Sequence, residues 1–244
     1  METKKDIINR LKEEILLKQG YKPLQGDAAK IGGLQEIEAA FPNGVFPTGM
    51  MHEFVNPQVE HSTACGAFIT GLIASLMPEG GICLWISANR IMFPPALKKF
   101  GIEPDSVIFI DLAREKDVLW ATEEALKCDG LTAVISEIRE ITFTQSRRLQ
   151  LAVEQSKVTG FVLRNDPNKV GNTACVARWQ ITPTPSQQIG RLPGVGFPRW
   201  KVELQKVRNG SPGIWTVEWR GKAFSLVADN LAVDTTVKQI RKAG

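Results

Sequence analysis

The segment Asn56-Pro57-Gln58-Val59-Glu60-His61-Ser62-Thr63 lies between a β-type run, Met51–Val55, and an apolar helical stretch, Thr63–Leu76. In an α/β chain a phosphate loop sits at such a place, so the segment can be compared position by position with G-x-x-x-x-G-K-[ST]. That template needs glycines for close backbone approach, a lysine for the β- and γ-phosphates and a hydroxyl for Mg²⁺. Asn56 and His61 occupy the glycine positions, Ser62 the lysine position, and Thr63 alone keeps the expected type. Glu60 brings a carboxylate toward the place where phosphate charge would gather, which is repulsive in a semi-enclosed site. The helix N-terminus still favours an anion, though modestly. As bare structure, the segment is a strand-to-helix connection.

Other reactive side chains give weaker signals. Cys65, Cys83, Cys128 and Cys175 stand far apart, form no C-x-x-C pair and have only His52 and His61 to assist, which gives a zinc site little support. Four buried free thiols are expected. The chain carries 30 Lys+Arg against 26 Asp+Glu, a surplus of +4 that is too small to imply nucleic-acid binding unless it is clustered. Arg147, Arg148, Arg164, Lys169, Arg178 and Arg191 would make a phosphate- or partner-contacting surface if they converged, and are otherwise a solvated face. Six tryptophans accompany a single tyrosine, Tyr21. Trp85, Trp120 and Trp179 sit in apolar patterns and are expected in the core. Trp200, Trp215 and Trp219 fall on a terminal hairpin, where alternation puts Trp215, Val217 and Trp219 on one face. An exposed aromatic edge there would dock a partner, and burial of all three would remove that argument.

The elements that must position these groups follow from periodicity. Strands are predicted at Met51–Val55, Gly81–Ser87, Ser106–Asp111, Leu131–Ser136 and Gly160–Leu163, alternating with helices at Thr63–Leu76, Pro94–Phe100, Glu115–Lys127 and Thr144–Gln155. That alternation predicts an α/β fold with a mostly parallel central sheet. Near Cys175–Ile181, Trp200–Val207 and Gly213–Trp219 the strands lose their helices, and Arg208-Asn209-Gly210-Ser211-Pro212 reads as a hairpin turn, giving an antiparallel C-terminal extension. Residues 3–19 read as an amphipathic helix with Ile8, Leu11 and Ile15 on one stripe, free to pack on the core, dock on a partner or touch DNA. The expected division is residues 1–30 as this helix and a linker, 31–225 as the core domain, and 226–244 as a basic tail.

Composition, with 43% hydrophobic and 23% charged residues, is that of a globular protein. The run Gly66–Met77 is too short to cross a bilayer, and the N-terminus lacks the apolar core of a secretory signal, so a cytoplasmic location is expected.

The order of features resembles the core of RecA-type recombinases, and more closely the ImuA-like error-prone repair proteins, RecA-related accessory factors of translesion synthesis. The resemblance covers roughly residues 31–225 and rests on Thr48-Gly49-Met50-Met51-His52-Glu53, Leu119-Trp120-Ala121-Thr122-Glu123-Glu124-Ala125-Leu126-Lys127-Cys128, Ser146-Arg147-Arg148-Leu149-Gln150-Leu151-Ala152, Pro198-Arg199-Trp200-Lys201-Val202-Glu203-Leu204 and Gly213-Ile214-Trp215-Thr216-Val217-Glu218-Trp219. It implies a RecA-like P-loop-type core. With that core as a ruler, the water-activating glutamate falls at Asn89 and the metal-supporting aspartate at Ser136, with Glu137 pointing elsewhere. A register error of one residue would restore Glu137. As the resemblance has it, the lysine, base and metal aspartate positions are replaced, no ATP or Mg²⁺ cofactor is expected, and the chain is not an enzyme. The segment Arg164–Ala174 also leaves less reach than a recombinase DNA-binding loop. The family implies SOS-induced mutagenesis and DNA repair, with an ImuB-like Y-family polymerase relative and an error-prone DnaE-type DNA polymerase as partners and RecA as a further one. Two alternatives stay open: a weak DNA-dependent ATPase, and a cell-division inhibitor resembling SulA.

Overall fold

The computed structural model describes residues 4–19, 21, 31–77, 80–186 and 196–227. Its strands are β1 (Met51–Asn56), β2 (Cys83–Ser87), β3 (Val107–Asp111), β4 (Ala133–Glu137), β5 (Thr159–Asn165), β6 (Ala177–Thr184), β7 (Arg199–Val207), β8 (Gly213–Arg220) and β9 (Ala223–Val227). They form one sheet in the order β3-β2-β4-β5-β1-β6-β7-β8-β9. Pairing is parallel from β3 through to β6 and antiparallel from β6 to β9. The mostly parallel α/β sheet and its antiparallel extension are therefore as predicted. The extension is one strand longer than expected, because Gly221-Lys222 turns the chain back from Arg220 to pair with Ala223.

The helices are α1 (Lys4–Lys18), the short α2 (Gln35–Glu38), α3 (His61–Leu76), α4 (Glu115–Ala125) and α5 (Phe143–Ser156). The predicted helix at Pro94–Phe100 is a 3₁₀ segment, opened by two prolines that lack donors and closed by Gly101 in the left-handed region. Each face of the sheet has its own core. On one, Phe68, Ile69 and Leu72 of α3 meet Phe54, Trp85, Phe161 and Trp179, and further along Trp200, Trp219 and Phe224. On the other, Val118 of α4 and Leu149 and Val153 of α5 cover Ile86, Val134 and Val162. β1 is covered on both sides, so every one of its residues is buried, the polar His52, Glu53 and Asn56 included. A β-carbon on Gly71 would stand 2.6 Å from the Phe224 ring and 3.1 Å from Trp219, so a bare glycine lets α3 lie against those rings. Thr142 opens α5 with a capping box: its hydroxyl accepts from the Gln145 backbone N–H, and the Gln145 side chain accepts from the Thr142 N–H.

Two expectations are corrected. Trp120 is 66% exposed: Val118, Thr122 and Ala125 make the buried stripe of α4, and Trp120 stands two residues past Val118 on the other side of the helix. Cys128 is exposed in the turn after α4, while the other cysteines are buried. In α1 the stripe of Ile8, Leu11 and Ile15 is exposed, and Leu16 is the residue that packs on the core. On the terminal hairpin Trp200 and Trp219 are buried and Trp215 is half-buried against the same core, so two of the three tryptophans are withdrawn from the aromatic edge. The linker apart from Tyr21, and the tail from residue 228, lie outside the described residues. No described helix is long and apolar enough to cross a membrane.

Candidate functional site at the strand ends

Parallel pairing brings the carboxyl ends of β1, β2, β4 and β5 to one edge of the sheet, where α3 begins. Register decides which side chains face α3 there. Ser136 is paired with Ile86 and Val162, both in the core beneath α4 and α5, so it points away from α3. Glu137 is paired with Leu163 and follows Ile135, both on the α3 side. The expectation that Ser136 faces the loop and Glu137 points elsewhere is thus reversed.

Glu137 stands where two adjoining cavities meet. The outer one, about 300 Å³, has Asn89, Glu115, Glu137, Arg139, Asn165 and Asp166 as its polar lining. The inner one, about 80 Å³, is lined by Ser62 and Thr63 of α3 together with aromatic and apolar side chains including Trp85, Met92, Phe93 and Phe100. Ile91, Glu137, Leu163 and Asn165 belong to both. The Trp85 indole Nε1 donates to Glu137 Oε1 at 2.8 Å. Burial, helped by Asp111, pushes the Glu137 carboxyl above the ordinary range, against the opposing effects of that hydrogen bond and of Arg90. Arg139 is already engaged: its Nε donates to the Asp166 carbonyl at 2.7 Å and its Nη2 to Asp166 Oδ2 at 3.1 Å.

The degenerate-loop residues are only partly brought together. Ser62, 4% exposed, lines the inner cavity with a hydroxyl that has no hydrogen-bond partner among the described residues, and Thr63 lines it too. Asn89 borders the outer cavity. Asn56 is buried behind them and donates to Asn165 Oδ1 at 2.8 Å. His61 opens α3, and Glu60 precedes it, exposed. Glu115 and the Arg139–Asp166 pair are what sequence reasoning missed, and Glu137 is the residue it named but turned the wrong way.

The basic residues do not form one surface. Arg164 is fully buried and donates from Nη1 to Glu53 Oε1 at 2.8 Å, and Arg178 Nε donates to Glu53 Oε2 at 2.8 Å. Thr173 completes the set by donating to the same Oε2. Two arginines expected as contacts for DNA or a partner are instead the counter-ions of a buried carboxylate, and they tie the 166–173 loop to β1. Arg147 pairs with Glu154, and Arg148 with Glu123, on the face of α5 turned to solvent. Lys169 is exposed, and Arg191 lies outside the described residues. Among the described residues no group of three His, Cys, Asp or Glu could hold a metal ion.

No protein-family profile matches the chain. Protein ImuA of Caulobacter vibrioides (strain NA1000 / CB15N) is 34% identical over 198 residues, covering 76% of this chain and 81% of the relative, and the same figures hold for Protein ImuA of strain ATCC 19089 / CIP 103742 / CB 15. Cell division inhibitor SulA of Yersinia pestis (strain Pestoides F) is 26% identical over 130 residues, 52% of this chain and 76% of the relative.

Proposed function

The chain belongs to the ImuA family, and from that premise we propose that it serves the mutagenic response to DNA damage as an accessory protein, working by binding and not by ATP hydrolysis. Its core is read as RecA-like: a mostly parallel sheet with a cleft at the carboxyl ends of its strands, where the first apolar helix begins, supports that reading.

The observation that carries the non-catalytic part is the chemistry of the cleft. Glu115, Glu137 and Asp166 line the outer cavity beside Arg139, whose guanidinium is already held by Asp166. No lysine is among the residues lining either cavity. Glu137 stands where a metal-supporting acid would, but with no lysine in the lining and Arg139 held, a triphosphate entering there would lack the cations its charge needs. Partnership with an ImuB-like Y-family polymerase relative and an error-prone DnaE-type polymerase follows from the family, with RecA as a further candidate. Arg147, Arg148 and Lys169 are the described candidates left for weak contact with DNA phosphates.

Co-expression with the cognate ImuB-like protein, followed by size-exclusion chromatography with light scattering, tests this. The expected result is a stable complex whose mass and yield are the same with and without Mg-ATP. A complex that forms only with Mg-ATP would make the chain a nucleotide switch. The similarity to a cell division inhibitor over 130 residues favours a second reading. Filamentation of cells on overexpression, with no complex in either condition, would support it.

A further inference from the structure

The strand-end cleft is unusual in what it leaves unanswered. Its charged lining is mostly carboxylate: Glu115, Glu137 and Asp166 stand against the single guanidinium of Arg139, beside the amides of Asn89 and Asn165. Its one cation and its indole donor are spent within the protein. Arg139 is committed to Asp166 and Asn168, and the Trp85 indole is committed to one oxygen of Glu137. The second oxygen, Oε2, has no hydrogen-bond partner among the described residues. An independent sign that a polar group belongs here is Ser62, whose hydroxyl is almost completely buried, lines the inner cavity and is unpartnered. A buried hydroxyl without a partner is costly, so a donor-bearing group on Glu137, where the two cavities join, gains by satisfying it. The walls between these polar points are apolar, from Val59, Ile91, Ile138 and Leu163.

A ligand for such a site must be rich in donors, positively charged and carried on an apolar stem. The cavity of about 300 Å³ lies at the lower limit of small-molecule sites, roughly 300–1,000 Å³. Guanidinium offers five N–H donors and no acceptor, in a planar fork that matches a carboxylate. We propose that the cleft receives an arginine side chain of a protein partner, with its guanidinium on Glu137 and Glu115 and its methylenes against Val59, Ile91 and Ile138. This rests on the reading that the chain works by binding, and it names the chemistry that the partner presents. The site left without a phosphate-binding lysine is thereby a receptor for a cation.

The probe is N-acetyl-arginine amide, titrated into the ¹⁵N-labelled full chain while the indole N–H resonance of Trp85, assigned with Trp85→Phe, is followed. The expected result is a saturable shift at millimolar concentrations, at least fivefold weaker binding in Glu115→Gln and no shift in Glu137→Gln. Glu115 is exposed, so its variant keeps the fold, and it serves as the arbiter if Glu137→Gln does not fold. The proposal is overturned by no shift up to about 50 mM, where even a binding energy of a few kcal/mol registers. An equal shift with N-acetyl-glutamine amide, or a shift with Mg-ATP in place of the arginine probe, also overturns it. In the complex with the ImuB-like protein, an unchanged Kd for both variants would sink this inference and leave the accessory reading intact. Binding of the arginine probe with no complex at all would support the inference and sink the accessory reading.

Discussion

His52 is a histidine that the fold holds neutral. It is fully buried on β1, its Nε2 donates to the Pro47 carbonyl at 2.7 Å, and its Nδ1 accepts from the Trp179 indole at 3.3 Å. Those two bonds fix the tautomer and leave no place for a second proton, while Phe46 stacks on the ring at 4.5 Å. Burial lowers the pKa from 6.5 to about 4, with the Pro47 bond opposing. The unfolded chain therefore takes up a proton below about pH 6.5 that the folded chain refuses until about pH 4. Stability from this group is complete above pH 6.5 and is lost as pH falls toward 4, by about 3 kcal/mol in all. Urea unfolding at pH 7 and pH 4 measures it. The native chain is expected to lose about 3 kcal/mol more over that interval than His52→Gln, which has no imidazole to protonate. Equal losses would show that His52 is not the group responsible. Glu53, the next residue, faces the opposite side of the sheet and carries charge into the interior, which its two arginines make tolerable.

Among the elements, β9 and the turn it covers explain how the core closes. Gly33 has φ +85°, and a β-carbon there would fall 1.7 Å from the Phe224 carbonyl oxygen, a backbone atom that cannot swing aside. Gly33→Ala combines left-handed strain with that collision, so a loss of roughly 2–4 kcal/mol is expected. Urea unfolding measures the loss, and hydrogen exchange of the β8–β9 amides shows whether β9 lets go first. A stability change under about 0.5 kcal/mol, the range of surface substitutions, would mean that the close approach is not what the fold depends on. The strand was legible in hindsight from Gly221 and the alternation Phe224, Leu226, but a five-residue strand at a sheet edge leaves little periodicity to read. The eight longer or more central strands were found from their apolar runs. The face of Ser136 was not, because Ala133-Val134-Ile135 is apolar on both sides and a strand covered on both sides carries no alternation to say which residue points where. Register against β2 and β5 decides it, and register is a tertiary fact. In the same way Arg164 looked like a surface cation because nothing near it in sequence announces Glu53, 111 residues away.

At the scale of the molecule, the core and the N-terminal helix answer to different demands. The two cores are complete without the apolar stripe of α1: Ile7, Ile8, Leu11, Ile15 and Leu17 are all exposed, and Leu16 alone packs inward. The entry to the core is held instead by Tyr21, whose hydroxyl donates to the Arg208 carbonyl at 2.6 Å and which is nearly buried. The described part of this segment, α1, is exposed apart from Leu16, so on removing residues 1–20 while keeping Tyr21 the unfolding free energy is expected to change by less than about 1 kcal/mol. On the accessory reading the same deletion has a larger effect elsewhere. An exposed row of aliphatic side chains on a helix suits a partner's groove, and its loss is expected to weaken the complex with the ImuB-like protein at least tenfold. Urea unfolding of the truncated chain and a titration of the complex, made on the same preparation, separate the two effects. A truncated chain that unfolds readily would assign α1 to the core. One that is stable and binds its partner as well as before would leave the strand-end cleft as the remaining place for the partner to be held.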